Sequence, residues 1–535
     1  MTEQKEQKSF SEVVKHSFKE LGETLVAFVK APRALWGINL PYIIEGLCYF
    51  GLIYILTTYC FENVKLSDLQ SGWVVGGVTW GITLAMLFLG GVVDRIGVRL
   101  ALGLSLALMA VARAIVALSG SIPLGTGVGS PMFFVMVAGL FIMVLGYGIY
   151  QPAAYAGVKR YTNPQTAAMA FAVIYALMNL GGFIFGPISS FSRKHLTTIF
   201  PPNGFAGVIW ILTILTVLSS ILTFIIINKK VDANAVARVK KETEELEKAE
   251  GKVKKAEDKE TATKKEEKKV AQKINHLPFI LYSLLTLAAA ALLIAVIAKK
   301  IHFSIYVSAV LLMAGLIIST WEYLRCRPDH PFRDLRFVIF IFLLIPVQTL
   351  FAHQWLTIPL YLKRAYEGTM VSEYFEIFGN LNPLLIFILA PLIAGLTART
   401  NIYRMVILGT LVMAIPTFLL AMGTNAWLYL FYVILMTTGE AMWQPRFLQW
   451  IAEIAPEGKT GIYMGIGQFP WFLTKMITSL YSGYFLSKYI PDPSLGLKQN
   501  PEQMWFIYGL IALISPIALI LARKWMLKGM RQKSQ

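Results

Sequence analysis

The chain has 535 residues, of which 56% belong to the hydrophobic set and 15% are charged, with a mean hydropathy of +0.59. Average soluble domains carry about 25% charged side chains, so composition argues against a water-soluble enzyme. The formal charge of +18 does not point to nucleic acid: much of it sits at the chain ends, and the tract 229–276 mixes 15 Lys/Arg with 11 Asp/Glu.

Residues 10–29 set Phe10, Val13, Val14, Phe18, Leu21, Leu25, Phe28 and Val29 at three- and four-residue spacing, opposite Lys15, Lys19, Glu20 and Glu23. This predicts an amphipathic helix, lying either on the inner membrane surface or on the protein's own underside. Pro32 stops it. No cleavable signal is apparent, so the first span is expected to direct insertion.

A membrane span needs about 20 apolar residues. Such stretches occur at 36–58, 72–92, 99–118, 132–154, 167–189 and 207–228. The Lys/Glu/Ala-rich tract up to His276 follows, helical by propensity but without an apolar face, and reads as a solvated helix or a disordered linker. Two spans come next, at 278–298 and 303–324. Six more follow at 337–361, 377–397, 404–422, 428–451, 463–486 and 504–522. The expected domains are a segment 1–33, a six-helix bundle 34–228, the linker 229–276, two accessory helices 277–325, a second six-helix bundle 326–523 and a tail 524–535.

Fourteen spans put both termini and the charged tract on one side, whose short connections carry Arg95, Arg99, Lys159, Arg160, Arg325, Arg327 and Arg333 among others. That side is predicted to be cytoplasmic and the protein to lie in the inner (cell) membrane. Cys48, Cys60 and Cys326 are not closely spaced, so neither a disulfide nor a metal motif is expected. Gly458-Lys459-Thr460 resembles the end of a phosphate-binding loop, but the first glycine such a loop needs falls on Glu453. No ATP site or other cofactor is expected, and the energy source must be an ion gradient.

The two bundles repeat each other. Gly90-Gly91-Val92-Val93-Asp94-Arg95 joins the second and third spans, and a worn copy, Ala394-Gly395 to Arg399, joins the corresponding pair in the last set. Gly146-Tyr147-Gly148-Ile149-Tyr150-Gln151-Pro152 is matched by Gly439-Glu440-Ala441-Met442-Trp443-Gln444-Pro445. Parallel six-helix repeats with a solute site between them resemble the major facilitator transporters. That likeness implies an all-α membrane protein, two six-helix bundles plus two accessory transmembrane helices. Asp94, Arg95 and Arg99 are candidate inner-gate residues; the alternative is an ordinary charged turn.

Four segments further resemble the proton-coupled oligopeptide transporter family. They are Phe171 to Gly181 with Tyr175 and Asn179, Gly379-Asn380-Leu381-Asn382-Pro383-Leu384 with Ala390-Pro391-Leu392, Glu45-Gly46-Leu47-Cys48-Tyr49-Phe50-Gly51, and Glu440. The resemblance implies proton-coupled symport of di- and tripeptides or peptide-like solutes by alternating access, with Glu440 meeting the peptide amino group. Alternatives are another organic anion or amphiphile on the same scaffold, carried in or out, and a non-transporting receptor or scaffold acting through the charged tract. The family's motif arginine is Gly46 here, its span-four lysine is Gln151, and its span-seven acid falls on Ala352, beside His353. The expected partners are a small solute, protons and the lipid bilayer, with the protein a monomer.

A charge at the bilayer centre costs about 2.5–3.5 kcal/mol on insertion scales, so each one there needs a partner or a function. The candidates are Glu45, Arg113, His353, Glu440, Arg446 and Lys475. Glu45, His353 and Glu440 are read as proton-coupling groups, with a structural pair to Arg113 as the alternative for Glu45 and packing as the alternative for His353. Lys475 either replaces the missing cations as an anion clamp, pairs with Glu440, or snorkels. Arg446 either binds helix carbonyls or serves as a gate residue. Tyr49, Arg113, Gln151, Tyr175, Asn179, Gln354, Trp355, Asn382, Trp443 and Gln444 complete the expected solute cavity, and packing is the alternative for the aromatic residues.

Overall fold

The computed structural model describes residue 19 and residues 32–89, 91–249, 277–297, 305–325, 330–397, 400–454, 463, 466–467 and 469–533. Apart from Lys19, the helix predicted at 10–29 lies outside these residues, as do 250–276, Cys326 and the connection 455–462. The described part is helical throughout. Eight of its helices are long and apolar enough to cross a membrane: Arg33–Glu62, Val98–Ser119, Pro131–Tyr161, Val173–Leu196, Phe205–Ile226, Leu335–Leu356, Ile402–Leu420 and Pro501–Met526. Helices at Asp68–Leu89, Leu277–Ile297, Ile305–Arg325, Leu381–Leu396, Ala426–Ile454 and Phe469–Tyr489 lie at the other six predicted spans.

The first bundle comprises α1 (Arg33–Glu62), α2 (Asp68–Leu89), α3 (Val98–Ser119), α4 (Pro131–Tyr161), α5 (Pro164–Leu196) and α6 (Phe205–Ile226). Then come α7 (Lys229–Ala249) and a hairpin of α8 (Leu277–Ile297) and α9 (Ile305–Arg325). The second bundle begins with a broken span, α10 (Leu335–Leu343), α11 (Ile345–Leu356) and α12 (Ile358–Ala365). It continues with α13 (Leu381–Leu396), α14 (Ile402–Ala414), α15 (Ala426–Ile454), α16 (Phe469–Tyr489) and α17 (Pro501–Lys533). The breaks have a local cause. Pro346 and Pro359 stand at the starts of α11 and α12 and supply no N–H to continue the preceding turn. The last helix runs on to Lys533, so the predicted tail is continuous with the final span.

Side-chain caps define several helix starts. Ser130 Oγ accepts from Phe133 N at 3.1 Å with Pro131 at the first helical position, and Asn401 accepts from Arg404 N at 3.1 Å. Gly97, at φ +80°, separates the short helix Val92–Ile96 from α3, a left-handed conformation that favours glycine.

The repeated glycines have equivalent positions. Gly146 lets α4 approach Met109 and Ser105 of α3, and Gly439 lets α15 approach Gly409 and Met413 of α14. Small residues permit such close crossings where lipid offers no hydrophobic drive for helix association. The same reasoning accounts for Gly46. A Cβ there would lie 2.9 Å from Met178 Cα of α5, and a Cβ on Gly181 would lie 2.6 Å from Leu47 N of α1. No long side chain fits at that crossing. Gly46→Ala is expected to lower stability by about 1–3 kcal/mol through overpacking, read as a fall in the detergent melting temperature. An unchanged melting temperature would show that α1 and α5 separate easily.

Over 229–249 the charged tract is a largely exposed helix, one of its two expected forms, but it does carry an apolar face. Val231, Ala235 and Val236 form a short apolar strip against the core. Asp232 accepts from Arg160 Nε at 3.1 Å and Tyr161 Oη at 2.9 Å, while Glu242 accepts from Asn163 Nδ2 at 2.9 Å. α7 is therefore docked on the end of α4. Its apolar strip is too short to stand out in so charged a sequence. The α8–α9 hairpin closes on itself through Thr286 and Ser319, whose hydroxyls are 2.8 Å apart. Tyr323, His330, Phe332 and Phe469 link it by successive ring contacts to the start of α16.

Candidate functional site

The two bundles meet along α1 with α11, α2 with α16, and α5 with α13. At the end opposite the chain termini they are bound by charge. Arg364, following α11, donates to both carboxylate oxygens of Asp68 at 2.7 and 2.8 Å and to Ile490 O at 3.0 Å, with all three groups buried or nearly so. Arg193 Nε donates to Glu376 at 2.6 Å, and Ser190 donates to the same carboxylate at 3.0 Å. Lys194 reaches Glu373 at 2.5 Å, and Lys363 pairs with Glu62. Neutral bonds reinforce these, with Thr57 Oγ1 donating to Trp355 O at 2.8 Å and Tyr54 Oη to Phe375 O at 2.9 Å.

Among the described residues, no ion pair joins the bundles at the other end. There Tyr155 and Tyr175 are 42% and 50% exposed. Among the described residues, charge thus binds the bundles together at one end and not at the other. Sequence reading missed these closing pairs because each joins residues far apart in the chain; the only signal was charge at span ends. Arg364→Leu is expected to strand Asp68 at a cost of about 3–5 kcal/mol and loosen this end. A Thr57→Cys reporter, buried in the parent, should then react several-fold faster with an impermeant maleimide. Unchanged labelling would mean that the pair does not hold the bundles together.

Arg113 is fully buried. Its Nη1 donates to Glu45 Oε2 at 2.9 Å and reaches Thr216 Oγ1 at 2.5 Å, and its Nη2 lies on Glu45 Oε1 and 3.2 Å from Tyr147 Oη. Tyr147 also donates to Glu45. Thus α1, α3, α4 and α6 share one compensated cluster, and Arg113 is engaged within it. A narrow recess beside it is lined by Tyr42, Tyr150, Gln151 and Met178.

Glu440 is buried on α15 and has no cationic partner among the described residues. Asn382 Nδ2 donates to its Oε2 at 2.8 Å and to Thr437 Oγ1 at 2.9 Å. Tyr175 of the first bundle lies within electrostatic reach of it. Glu440 and Asn382 thus lie near Tyr175 across the α5–α13 contact of the two bundles. Asn179 Nδ2 donates to Tyr175 O at 3.0 Å, and Gln151 Nε2 to Tyr155 Oη at 3.3 Å. Gln444 and Lys475 are half-buried.

Other candidates are placed differently. Trp443 is fully buried, with its indole N–H 3.2 Å from Met413 Sδ, so it packs on α14 and not in the chamber. A helix presents only one face to a cavity, and Glu440 and Trp443 divide here between two. Tyr49 packs on Tyr147, with ring centroids 4.8 Å apart. His353 is buried between α11, α16 and α17. It stacks on Tyr508 at 3.9 Å, and its nitrogens lie 2.7 Å from Thr357 Oγ1 and 3.2 Å from Tyr481 Oη.

Arg99 Nε donates to Ile227 O at 2.7 Å, just past α6, and Arg446 Nη2 reaches Thr397 O at 2.5 Å, just past α13. Both arginines sit at helix C-termini, where cations are favoured, and both bonds stay within their own bundle. Arg95 is exposed, and the side chain of Asp94 lies outside the described set.

The Major Facilitator Superfamily model matches residues 39–479. The chain belongs to the major facilitator superfamily. No curated protein matches it in sequence. Its fold is that of several solved members. "Peptide transporter POT in complex with sulfate" superposes with a TM-score of 0.64 at 18% identity over 92% of this chain and 95% of that one. "A POT family transporter in complex with thioalcohol conjugated peptide" gives 0.62 at 18% identity over 94% and 98%. "A bacterial homologue of the human drug peptide transporters PepT1 and PepT2" gives 0.60 at 15% identity over 93% and 99%. This superfamily fold moves solutes between two bundles by alternately opening either end of a central site.

Proposed function

We propose that this major facilitator protein is a proton-coupled symporter of small peptides or peptide-like solutes, with fourteen spans, both termini cytoplasmic and a monomeric working unit in the cell membrane. The observation that carries the reading is Glu440, a buried acid without a counter-ion among the described residues and within electrostatic reach of Tyr175 in the other bundle. On this assignment the charge-closed end is outside and the structure is inward-facing. Glu45 is bound by a bidentate arginine and His353 is satisfied by hydroxyls on both nitrogens, so neither is as free to exchange a proton as Glu440. Neutralising a buried acid removes an electrostatic penalty and shifts the balance between inward- and outward-open states. One proton moving through 100 mV supplies about 2.3 kcal/mol, enough for roughly 50-fold accumulation.

The test is uptake of labelled di- and tripeptides into proteoliposomes under an imposed proton gradient. Acceleration by the gradient is the expected result. Failure of every peptide tested would overturn the proposal.

A second reading, another organic solute on the same scaffold, is favoured by the absence of the family's cations at Gly46 and Gln151 and by the engagement of Arg113. Thermal-shift screening of peptides against organic acids separates the two.

A further inference from the structure

Three other buried or partly buried cations between the helices have carboxylate partners: Arg113 with Glu45, Arg364 with Asp68, and Arg193 with Glu376. Lys475 differs. It stands in the middle of α16, half-buried, and makes no hydrogen bond or ion pair among the described residues.

Opposite it, α11 carries further unmatched donors. Gln348 is fully buried; its Oε1 accepts from Thr474 Oγ1 at 3.1 Å, while its Nε2 has no partner. Gln354 is 7% exposed with neither amide atom paired, and the Trp355 indole N–H is likewise unmatched.

Lys475, Gln348 and Trp355 flank one seam between α11 and α16, and Gln354 follows Phe351 of that seam by three residues. Thr474, next to Lys475 in sequence, bonds Gln348. Phe351 lies 5.1 Å from both Trp355 of its own helix and Trp471 of α16. Lys475 follows Trp471 by one helical turn and precedes Ser479 by another, so the three share a face. Ser479 sits against Gly76 of α2 in the first bundle. The Lys475 face is therefore flanked by α11 on one side and by the opposite bundle on the other.

Buried donors are normally matched, and leaving them unmatched is destabilising. An ammonium, two amides and an indole offer only N–H groups at their free positions, apart from the Gln354 oxygen. The group that matches such a set is an anion with several lone pairs, and charge-assisted bonds to it are the strong kind. We infer that Lys475, with Gln348, Gln354 and Trp355, holds the carboxylate of the transported solute.

The inference rests on the proposed class of peptide-like solutes and adds the location of the anion clamp. The clamp lies in the second bundle, which also carries Glu440. The first bundle has glycine and glutamine at the two family cation positions.

The test is ligand binding to the full-length protein in detergent, read by thermal shift, with dialanine, dialanine amide and acetate as probes. Dialanine should bind the parent about thirtyfold more tightly than its amide, the size of one lost charge-assisted interaction. Lys475→Met should reduce dialanine affinity by about the same factor and leave the amide unchanged, whereas Lys475→Arg should retain most of the affinity. Gln354→Leu should weaken dialanine selectively, and it carries the test if the Lys475→Met protein does not fold. Unchanged dialanine binding in these variants, or equal loss of both peptides, overturns the clamp. If neither peptide stabilises the parent, acetate decides. Protection by acetate that depends on Lys475 upholds the clamp and removes the peptide reading, and no protection by acetate removes both.

Discussion

Arg113→Met should produce one of the sharpest losses of stability available from a single substitution in the first bundle. Arg113 and Glu45 are both buried, bonded through both oxygens of the carboxylate, and tied to Tyr147 and Thr216. Removing the guanidinium leaves the Glu45 charge in a low-dielectric interior with only a tyrosine hydroxyl to satisfy it. Breaking a buried pair in this way costs about 3–5 kcal/mol. The double variant Glu45→Gln/Arg113→Met should recover most of the loss, since the penalty lies in the stranded charge and not in the absent attraction. Melting temperatures of the two single variants, the double variant and the parent decide the matter. Equal stability of Arg113→Met and the parent would mean that Glu45 takes up a proton readily, which would restore it as a candidate for proton coupling.

Glu440→Gln should affect function and leave stability nearly untouched. Glutamine keeps the oxygen that accepts from Asn382 Nδ2 and the same volume, so the local packing with Thr437 is retained. What it loses is the ability to alternate between charged and neutral forms. Gradient-driven accumulation is expected to fall from roughly 50-fold at 100 mV to none, while exchange of solute without a gradient continues. Counterflow and proton-driven uptake measured on the same proteoliposomes give the two readouts. Gradient-driven uptake that survives in Glu440→Gln would move the proton site elsewhere.

The two variants also separate kinds of buried charge that look alike in a linear sequence. Glu45 and Glu440 are both single acids in long apolar stretches, and each has an aromatic, glycine-rich context. Only folding shows that Arg113, 68 residues away, reaches Glu45, and that Glu440 has an asparagine beside it and no cation among the described residues. Lys475 illustrates the same limit from the basic side. Its sequence allowed a clamp, a partner for Glu440 or a snorkelling side chain. The donors of α11 and the lack of a carboxylate partner among the described residues favour the first.

Local chemistry was legible from the residues alone. Apolar runs long enough for a bilayer and glycines recurring before Gln-Pro in both bundles act over a few residues, so periodicity and composition carry them, whereas the breaks at Pro346 and Pro359 in the span expected at 337–361 came only with the structure. Gly146 and Gly439, read from the sequence only as a repeat, both stand at close helix crossings in the structure. Tertiary structure alone decided which charges neutralise each other, that Trp443 faces α14, that α7 docks on α4, and that one end of the molecule is shut by Asp68–Arg364 and Glu376–Arg193. Hydrophobic transfer is a sum over residues and survives in the one-dimensional order. Coulomb attraction and hydrogen bonding depend on separations of a few ångström between helices distant in the chain, which exist only once the bundles have packed.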